Sequence, residues 1–461
     1  MEVRDTMAEN PETIAAVATG LPGAIGILRL SGPRAIVAAG SVFRCADGGE
    51  LTAHPPRTLV YGALTDRDGR VIDRALCTYS RSPSSYTGED TAELHCHGSP
   101  LALQLGLEAL FAAGARQARP GEFTRRAFLN GKLDLAQAEA VADLIDAQTR
   151  EGLYQSAGQL GGALSRRTDA IYAALVDLLA HFHAVLDWPD EEIDPLRQEQ
   201  IAQTLSSARE ELSSLLSTAR RGEAMVNGLP CAIVGRPNAG KSSLLNALAG
   251  YERAIVTDAP GTTRDTVEER VRFGGALLRL IDTAGLRQSD DAAERLGVER
   301  ARAAMAQARL ILLLVDRSRP SVPEDEQLLK DARALAPTIL IHTKCDLPAA
   351  AGPRPADAGE VFLSVKTGVG MDALEQAVKS LLPSPQGELC SALLTNARQV
   401  DAVRRALAAV DRAAAGLAAG VTPDAVLVDA EEALSALGEL TGRSVRADVT
   451  DRIFARFCVG K

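Results

Sequence analysis

Gly235-Arg-Pro-Asn-Ala-Gly-Lys241-Ser242 restricts the fold of this chain more than any other segment. It follows an apolar run, Cys231–Val234, and precedes Leu244, Leu245 and Leu248 at helical spacing. A buried strand must therefore end, the backbone must turn through its glycines, and a helix must begin within eight residues. That geometry aims several backbone N–H groups and the positive end of a helix at one point, which is an anion site. In a G-x-x-x-x-G-K-S loop, Lys241 reaches the β- and γ-phosphates and Ser242 ligates Mg²⁺. Asn238, Ala239, Gly240 and Ser243 complete the cradle.

The flanking sequence agrees with a sheet of βαβ units. Apolar runs at Leu277–Ile281, Leu310–Val315, Thr338–Ile341 and Val361–Leu363 read as buried strands separated by helical stretches. Further segments along this stretch carry chemistry. Thr262 and Thr263, in APGTTRD, offer hydroxyls for Mg²⁺, with Thr263 the ligand. Asp282, Thr283, Ala284 and Gly285 follow LLRLI; Asp282 would hold the metal and the Gly285 amide would sense the γ-phosphate. Thr343-Lys344-Cys345-Asp346 follows ILIH, and a carboxylate at 346 accepts from guanine N1–H and the 2-amino group, which adenine cannot satisfy. Ser364, Val365 and Lys366 would close over the base.

In order and spacing these segments resemble the Ras-like GTPases. Thr343 stands where Asn is usual; Rho-type GTPases share this pattern, so guanine specificity is expected to survive with lower affinity. Leu286 occupies the position of the catalytic glutamine and cannot orient water, so hydrolysis must recruit its polar group elsewhere. Asn238 offers a carbonyl oxygen where a monovalent cation could substitute for an arginine finger, and Glu294, in DDAAERLG, could position water.

The rest of the chain reads differently. Ala24–Leu30, Arg57–Leu64, Val71–Tyr79 and Thr91–His97 are strand candidates broken by SGP, DRDG and SPSSYTGED, which predicts an α+β domain over residues 1–130. Helical periodicity covers 131–221 and resumes over 386–461, so one all-α domain is interrupted by an inserted domain at 222–385. Segment 131–221 carries 8 basic and 15 acidic residues, which reads as a solvated helix face. The fold class expected is thus multidomain α/β, its three domains nested rather than consecutive.

Composition narrows the setting. Seven scattered cysteines fit neither a disulfide framework nor a C-x-x-C metal site, and point to a reducing compartment. His95-Cys96-His97 has no further ligand at metal spacing, and CVGK is a poor prenylation box without a polybasic run. A net charge of −10, no signal-peptide pattern and no apolar run of membrane length predict a cytoplasmic protein with no membrane contact. Only seven of the 50 basic residues are lysines, and five of these, at 132, 241, 344, 366 and 461, fall in the motifs discussed in this subsection.

GILRLSG, SPSSYTGEDTAEL, RPGEFTRRAFLNGKLDLAQAEAVADLIDA, WPDEEID, GRPNAGKSSLLNAL, TDAPGTTRD, DTAGLR and the final Cys458-Val-Gly-Lys461 together resemble the MnmE (TrmE) family of tRNA-modification GTPases along essentially the whole chain. The resemblance implies an N-terminal domain with the fold of tetrahydrofolate-dependent enzymes, which also builds a homodimer. Its folate contacts would be Arg29, Glu93, Lys132 and Lys461, and the donor 5,10-methylenetetrahydrofolate or 5-formyltetrahydrofolate. It implies GTPase domains that pair across K⁺, with Asn238, Thr257, Ala259 and Thr262 as ligands, Thr257 also bordering GTP. Lys241 and Glu294 would serve GTP hydrolysis, and Cys458, near the folate, has a side chain capable of nucleophilic chemistry. An FAD-containing MnmG-type partner, in a heterotetramer, would join in adding an aminomethyl or carboxymethylaminomethyl group to C5 of wobble uridine 34. Arg125 and Arg126 are candidates for RNA contact. The competing reading is a regulatory or assembly GTPase of the ribosome-biogenesis kind, acting only as a switch. A pure switch needs neither the N-terminal domain nor the Cys458/Lys461 terminus.

Overall fold

Alternation along two strands organises the N-terminal region. In Ile25–Ser31 (β2) and Thr91–His97 (β6), Leu28, Leu30, Ala92, Leu94 and Cys96 are buried, whereas Arg29, Glu93 and His95 are only half-buried. A period of two sends these sets to opposite faces of the sheet. The computed structural model describes residues 12–20, 22–187, 198–251, 269–274, 276–281, 302–351, 359–381, 392–421, 423–443, 450, 453–454 and 457–460. They fall into two compact units: 1–142, 160–209 and 405–461 in the first, 143–159 and 210–404 in the second.

The first unit holds a seven-stranded sheet. Its other strands are Ile14–Val17 (β1), Phe43–Cys45 (β3), Val60–Thr65 (β4), Val71–Ser80 (β5) and Arg116–Gln117 (β7), in the order β3-β4-β5-β6-β2-β1-β7. All neighbours are antiparallel except β1 and β7. Helices Ala35–Val42 and Pro100–Ala112 cover the apolar face, packing Ala38, Ala39, Leu103 and Leu110 on Leu28, Leu30, Leu64 and Leu94. Pro100 at the first helical turn and the Ser99 hydroxyl, which accepts from the Ala102 N–H, start the second of these helices. The register sets Arg29 directly opposite Glu93, and Glu93 opposite Thr78, on the face away from these two helices.

Helix Leu135–Asp146 starts with a reciprocal cap: Gln137 N–H donates to Asp134 Oδ1 (2.8 Å) and Asp134 N–H to Gln137 Oε1 (3.0 Å). Helices Ala163–Asp187 and Pro423–Thr441 meet through Leu179, Leu427 and Ala430. The chain's last residues return to the N-terminal region. Phe454 and Phe457 pack with Phe128 and Leu135, and Val459 then pairs antiparallel with Pro120.

The second unit holds a six-stranded sheet: Leu229–Gly235 (β8), Glu269–Phe273 (β9), Ala276–Leu280 (β10), Leu310–Asp316 (β11), Thr338–Thr343 (β12) and Val361–Leu363 (β13). Its order is β13-β12-β11-β8-β10-β9, parallel except for the β9–β10 pair. Every apolar run expected to be a strand is one; β9, reading ERVRF, adds to them. Helix Gln198–Ser217 is followed by a second, Ala219–Asn227, before β8 begins, so helical structure runs a few residues past the expected boundary at 221.

A buried ion-pair chain fixes the helix Glu122–Leu129 to the first sheet. Arg116 donates to both Glu122 oxygens (2.8 and 2.6 Å), Arg126 donates to Glu122 (3.0 Å) and Glu89 (2.9 Å), and Glu89 accepts from Ser31. Arg126 is 9% exposed, so it is a structural cation and not the RNA contact its sequence position allowed. Burial alone would raise the Glu122 pKa, but hydrogen bonds from Arg116, the Arg119 N–H and Arg126 outweigh it and hold the carboxyl at about 2. The ordinary value is 4.5, so this carboxylate contributes stability above that pH and loses it as pH falls toward 2. Glu122→Gln is expected to destabilise the protein by roughly 3 kcal/mol at neutral pH, because it takes the charged partner from the buried Arg126 and from the half-buried Arg116. It should also flatten the acid limb of stability between pH 4.5 and 2, measured by chemical denaturation across pH.

Candidate nucleotide and cofactor sites

Strand β8 lies between β10 and β11, so successive connections leave it in opposite directions. The crevice at its C-terminal end is the topological switch point where doubly wound sheets bind ligands. The 235–242 loop sits there. Gly235 has φ +151°, and a Cβ at this position would lie 2.4 Å from the Leu314 carbonyl oxygen. Only glycine lets the loop leave the sheet so close to β11. Asn238 is left-handed as well, at φ +64°, an uncommon state for a residue with a side chain. Helix Lys241–Tyr251 begins directly after, with Leu244, Leu245 and Leu248 buried against the sheet.

Lys241 Nζ donates to the carbonyls of Gly235 (2.8 Å) and Arg236 (2.9 Å), bending over the loop it will serve. Burial lowers its pKa. Ala239 is buried, Gly240 and Lys241 are half-buried, and Asn238, Ser242 and Ser243 are exposed at the loop surface.

Thr343 has a role that its sequence position did not reveal. Its hydroxyl donates to the Ala239 carbonyl at 2.7 Å, tying the end of β12 to the phosphate loop. Lys344 follows in a left-handed conformation (φ +58°), and its Nζ reaches Asp316 Oδ2 at 2.7 Å. Burial would raise the Asp316 pKa, but Lys344 and Ser318 hold it below the usual carboxylate range. Asp346 is exposed, with Oδ1 accepting from the buried Ser364 hydroxyl at 2.7 Å. Val365 is half-buried and Lys366 exposed beside it. The phosphate loop, its tether and an oriented carboxylate thus converge on one end of the sheet, a set that fits a guanine nucleotide. Thr257, Ala259, Thr262, Thr263, Asp282, Thr283, Ala284, Gly285, Leu286 and Glu294 lie outside the described residues.

The first unit brings together a second polar group. Arg29 Nε donates to Glu93 Oε1 (2.8 Å), and the other Glu93 oxygen lies 3.2 Å from His95 Nε2. Arg29 Nη1 donates to the Gly460 carbonyl (3.4 Å), and its guanidinium lies 5.8 Å from the centre of the Phe123 ring. The His95 hydrogen bond, followed by the Arg29 charge, overcomes burial and holds Glu93 at about 2, a permanent acceptor. Tyr86 hydrogen-bonds Thr124 nearby (3.0 Å), and burial raises its phenol pKa. An ionised acceptor flanked by a guanidinium, an imidazole and aromatic rings suits a flat heterocycle bearing N–H donors, so the residue set fits a pterin.

Lys132 is exposed, its stem lying over Gly88 in the 81–90 loop. Cys458 is exposed, and its carbonyl accepts from the Gly121 N–H (3.4 Å). Lys461 lies outside the described residues. His95 and Phe123 were not singled out from sequence as neighbours of Arg29. Yet His95 stands two residues after Glu93, and period-two alternation places both on one face. His97 turns instead to Asp73, at 2.8 Å.

A phosphate loop at the switch point of a mostly parallel sheet, with a carboxylate oriented by Ser364 at the same end, defines the class of P-loop nucleotide-binding proteins. A family model described as the GTP-binding protein TrmE N-terminus matches residues 13–132, and one described as the MnmE helical domain matches 135–458. A relative from Chloroflexus aurantiacus is 47% identical over 98% of this chain and 100% of its own length. Relatives from Roseiflexus sp. and Symbiobacterium thermophilum are 44% and 43% identical, each covering 98% of this chain and 99% of the relative. All three are named tRNA modification GTPase MnmE. The chain belongs to the MnmE family.

If the Thr343 tether holds the phosphate loop, Thr343→Val should weaken binding of a fluorescent GDP analogue by roughly tenfold, the cost of stranding a buried carbonyl. Thr343→Asn, which keeps a donor, should bind within about twofold of the parent. Equal affinity for the valine variant would remove the tether from the account.

Proposed function

We propose that this chain is a tRNA-modification GTPase that couples GTP hydrolysis to one-carbon chemistry at C5 of wobble uridine 34. The observation that carries this reading is the occurrence, in one chain of the MnmE family, of a phosphate loop at 235–242 and a polar Arg29–Glu93–His95 face in a separate unit. A GTPase acting only as a switch has no use for the second site.

On this reading the phosphate loop binds GTP through Asn238, Ala239, Gly240, Lys241, Ser242 and Ser243, with Ser242 and Thr263 as ligands to Mg²⁺. Asp282, Thr283, Ala284 and Gly285 respond to the γ-phosphate, and Asp346 reads guanine with Thr343, Lys344, Ser364, Val365 and Lys366 around it. With leucine at 286, Glu294 positions the attacking water, and K⁺ held by Asn238, Thr257, Ala259 and Thr262 supplies the positive charge between two paired GTPase domains.

Arg29, Glu93, Lys132 and Lys461 hold the tetrahydrofolate donor: Glu93 accepts from the pterin while the cations face carbonyls and the anionic tail. The folate brings the carbon that is transferred. A homodimer built by the N-terminal domains, residues 1–130, works with an FAD-containing MnmG-type partner on tRNA. The helical domain, 131–221 and 386–461, carries the GTPase domain, 222–385, as an insertion. No described helix is long and apolar enough to cross a membrane; the place of work on this reading is the cytoplasm.

Mass spectrometry of nucleosides from tRNA of cells lacking this gene tests the reading. The C5-aminomethyl and carboxymethylaminomethyl derivatives of uridine 34 should disappear and return with the wild-type gene. Unchanged modification would leave the switch as the better account.

A further inference from the structure

Strand β3 forms the edge of the first sheet, several strands from the Arg29–Glu93 face. It ends at Cys45, and the chain then turns through Asp47 and a short 3₁₀ segment, Leu51–Ala53, to reach His54. One ligand atom from each of Cys45, Asp47 and His54 lies within 4.8 Å of the other two. His54 Nε2 is 3.3 Å from Asp47 Oδ2, yet this buried nitrogen makes no hydrogen bond there. A buried ring nitrogen in contact with a carboxylate but without hydrogen-bond geometry calls for another partner.

The frame around the three donors is fixed by packing. Cys45 is held by its pairing with Gly62 on β4. The backbone carbonyl of His54 accepts from the hydroxyl of Tyr79, a residue 3% exposed in the core, at 2.7 Å. Asp47 spends Oδ1 on the Gly49 N–H (3.0 Å), which leaves Oδ2 turned toward the imidazole.

We propose that Cys45, Asp47 and His54 form a Zn²⁺ site, binding through thiolate, carboxylate and imidazole Nε2 with water in the fourth position. Sulfur and nitrogen donors beside one carboxylate select zinc over the oxygen-seeking Mg²⁺ and Ca²⁺. Tetrahedral zinc with bonds of roughly 2.0 to 2.3 Å places its ligand atoms about 3.5 Å apart. The His54–Asp47 pair already meets that spacing, and the widest pair must close by little more than about 1 Å, the scale of a side-chain rotation. As the Zn–S bond forms, the Cys45 thiol proton leaves to solvent, and His54 binds as neutral imidazole with its proton on Nδ1. Burial, and the Asp47 charge after it, push the free thiol's pKa up, so zinc uptake is accompanied by proton release. The ion would pin the 46–53 loop to the edge strand, a place where sheets need protection from adventitious pairing.

The test uses the full-length, nucleotide-free protein stripped with a chelator and kept free of Mg²⁺. Co²⁺ added as an optical probe should give the charge-transfer absorption of a thiolate–cobalt bond, and Zn²⁺ should abolish it at one equivalent per chain. Cys45→Ser and His54→Gln should each weaken Zn²⁺ binding by at least about 100-fold, the upper end of what losing an outer-shell partner costs. Cys458→Ser should leave the cobalt spectrum unchanged. Melting of the metal-free proteins reports whether each variant folds. His54→Gln, at a half-buried position, serves as the test should Cys45→Ser unfold. No thiolate–cobalt band, or a band that persists in both site variants, would overturn the proposal.

Discussion

The return of the C-terminus to the N-terminal sheet is the constraint from which the candidate cofactor site follows. Phe454 and Phe457 enter the apolar cluster of Phe128 and Leu135, and the backbone beyond them pairs with Pro120. Gly460 then lies flat against β1, with φ +100° and the position of an added Cβ only 2.1 Å from the Val17 carbonyl oxygen. No other residue type permits that approach. The same glycine presents its carbonyl to Arg29, already paired with Glu93. Residues some 430 positions apart thereby share one polar face, and Cys458 is fixed at its rim by the Gly121 N–H.

The nucleotide site obeys a different logic. Its parts are local in sequence, each at the end of a parallel strand, and the sheet order assembles them at the switch point. What binds the parts to one another is a small set of side-chain bonds. Thr343 ties β12 to the phosphate loop, and Ser364 turns Asp346. A threonine side chain is long enough for the tether, its hydroxyl reaching the Ala239 carbonyl at 2.7 Å.

This contrast explains how much was legible beforehand. The phosphate loop, the strands β8, β10, β11, β12 and β13, the alternating strands β2, β5 and β6, and β4 between its turns all follow from pattern and spacing within short windows. β1 was missed because Ile-Ala-Ala-Val is apolar throughout and shows no alternation, and β3 and β7 because two or three residues carry no period. β9 is half charged and is held by its pairing with β10. The Arg29–Glu93 contact spans 64 residues, so spacing could not reveal it, and only the family resemblance named both residues. Arg126 looked available to RNA because sequence does not show that Glu122 and Glu89 enclose it. The same limit hid the Cys45–Asp47–His54 cluster, whose donors are brought together by a turn and by the Tyr79 hydroxyl.

The central claim is that the docked C-terminus completes the site on the N-terminal sheet. Calorimetric titration of 5-formyltetrahydrofolate into the wild type and Gly460→Ala addresses it most directly, since the added methyl cannot coexist with the Val17 carbonyl and must lift the tail. The account predicts that folate affinity falls by about tenfold or more while binding of a GDP analogue stays the same. Undiminished folate binding by Gly460→Ala would contradict it.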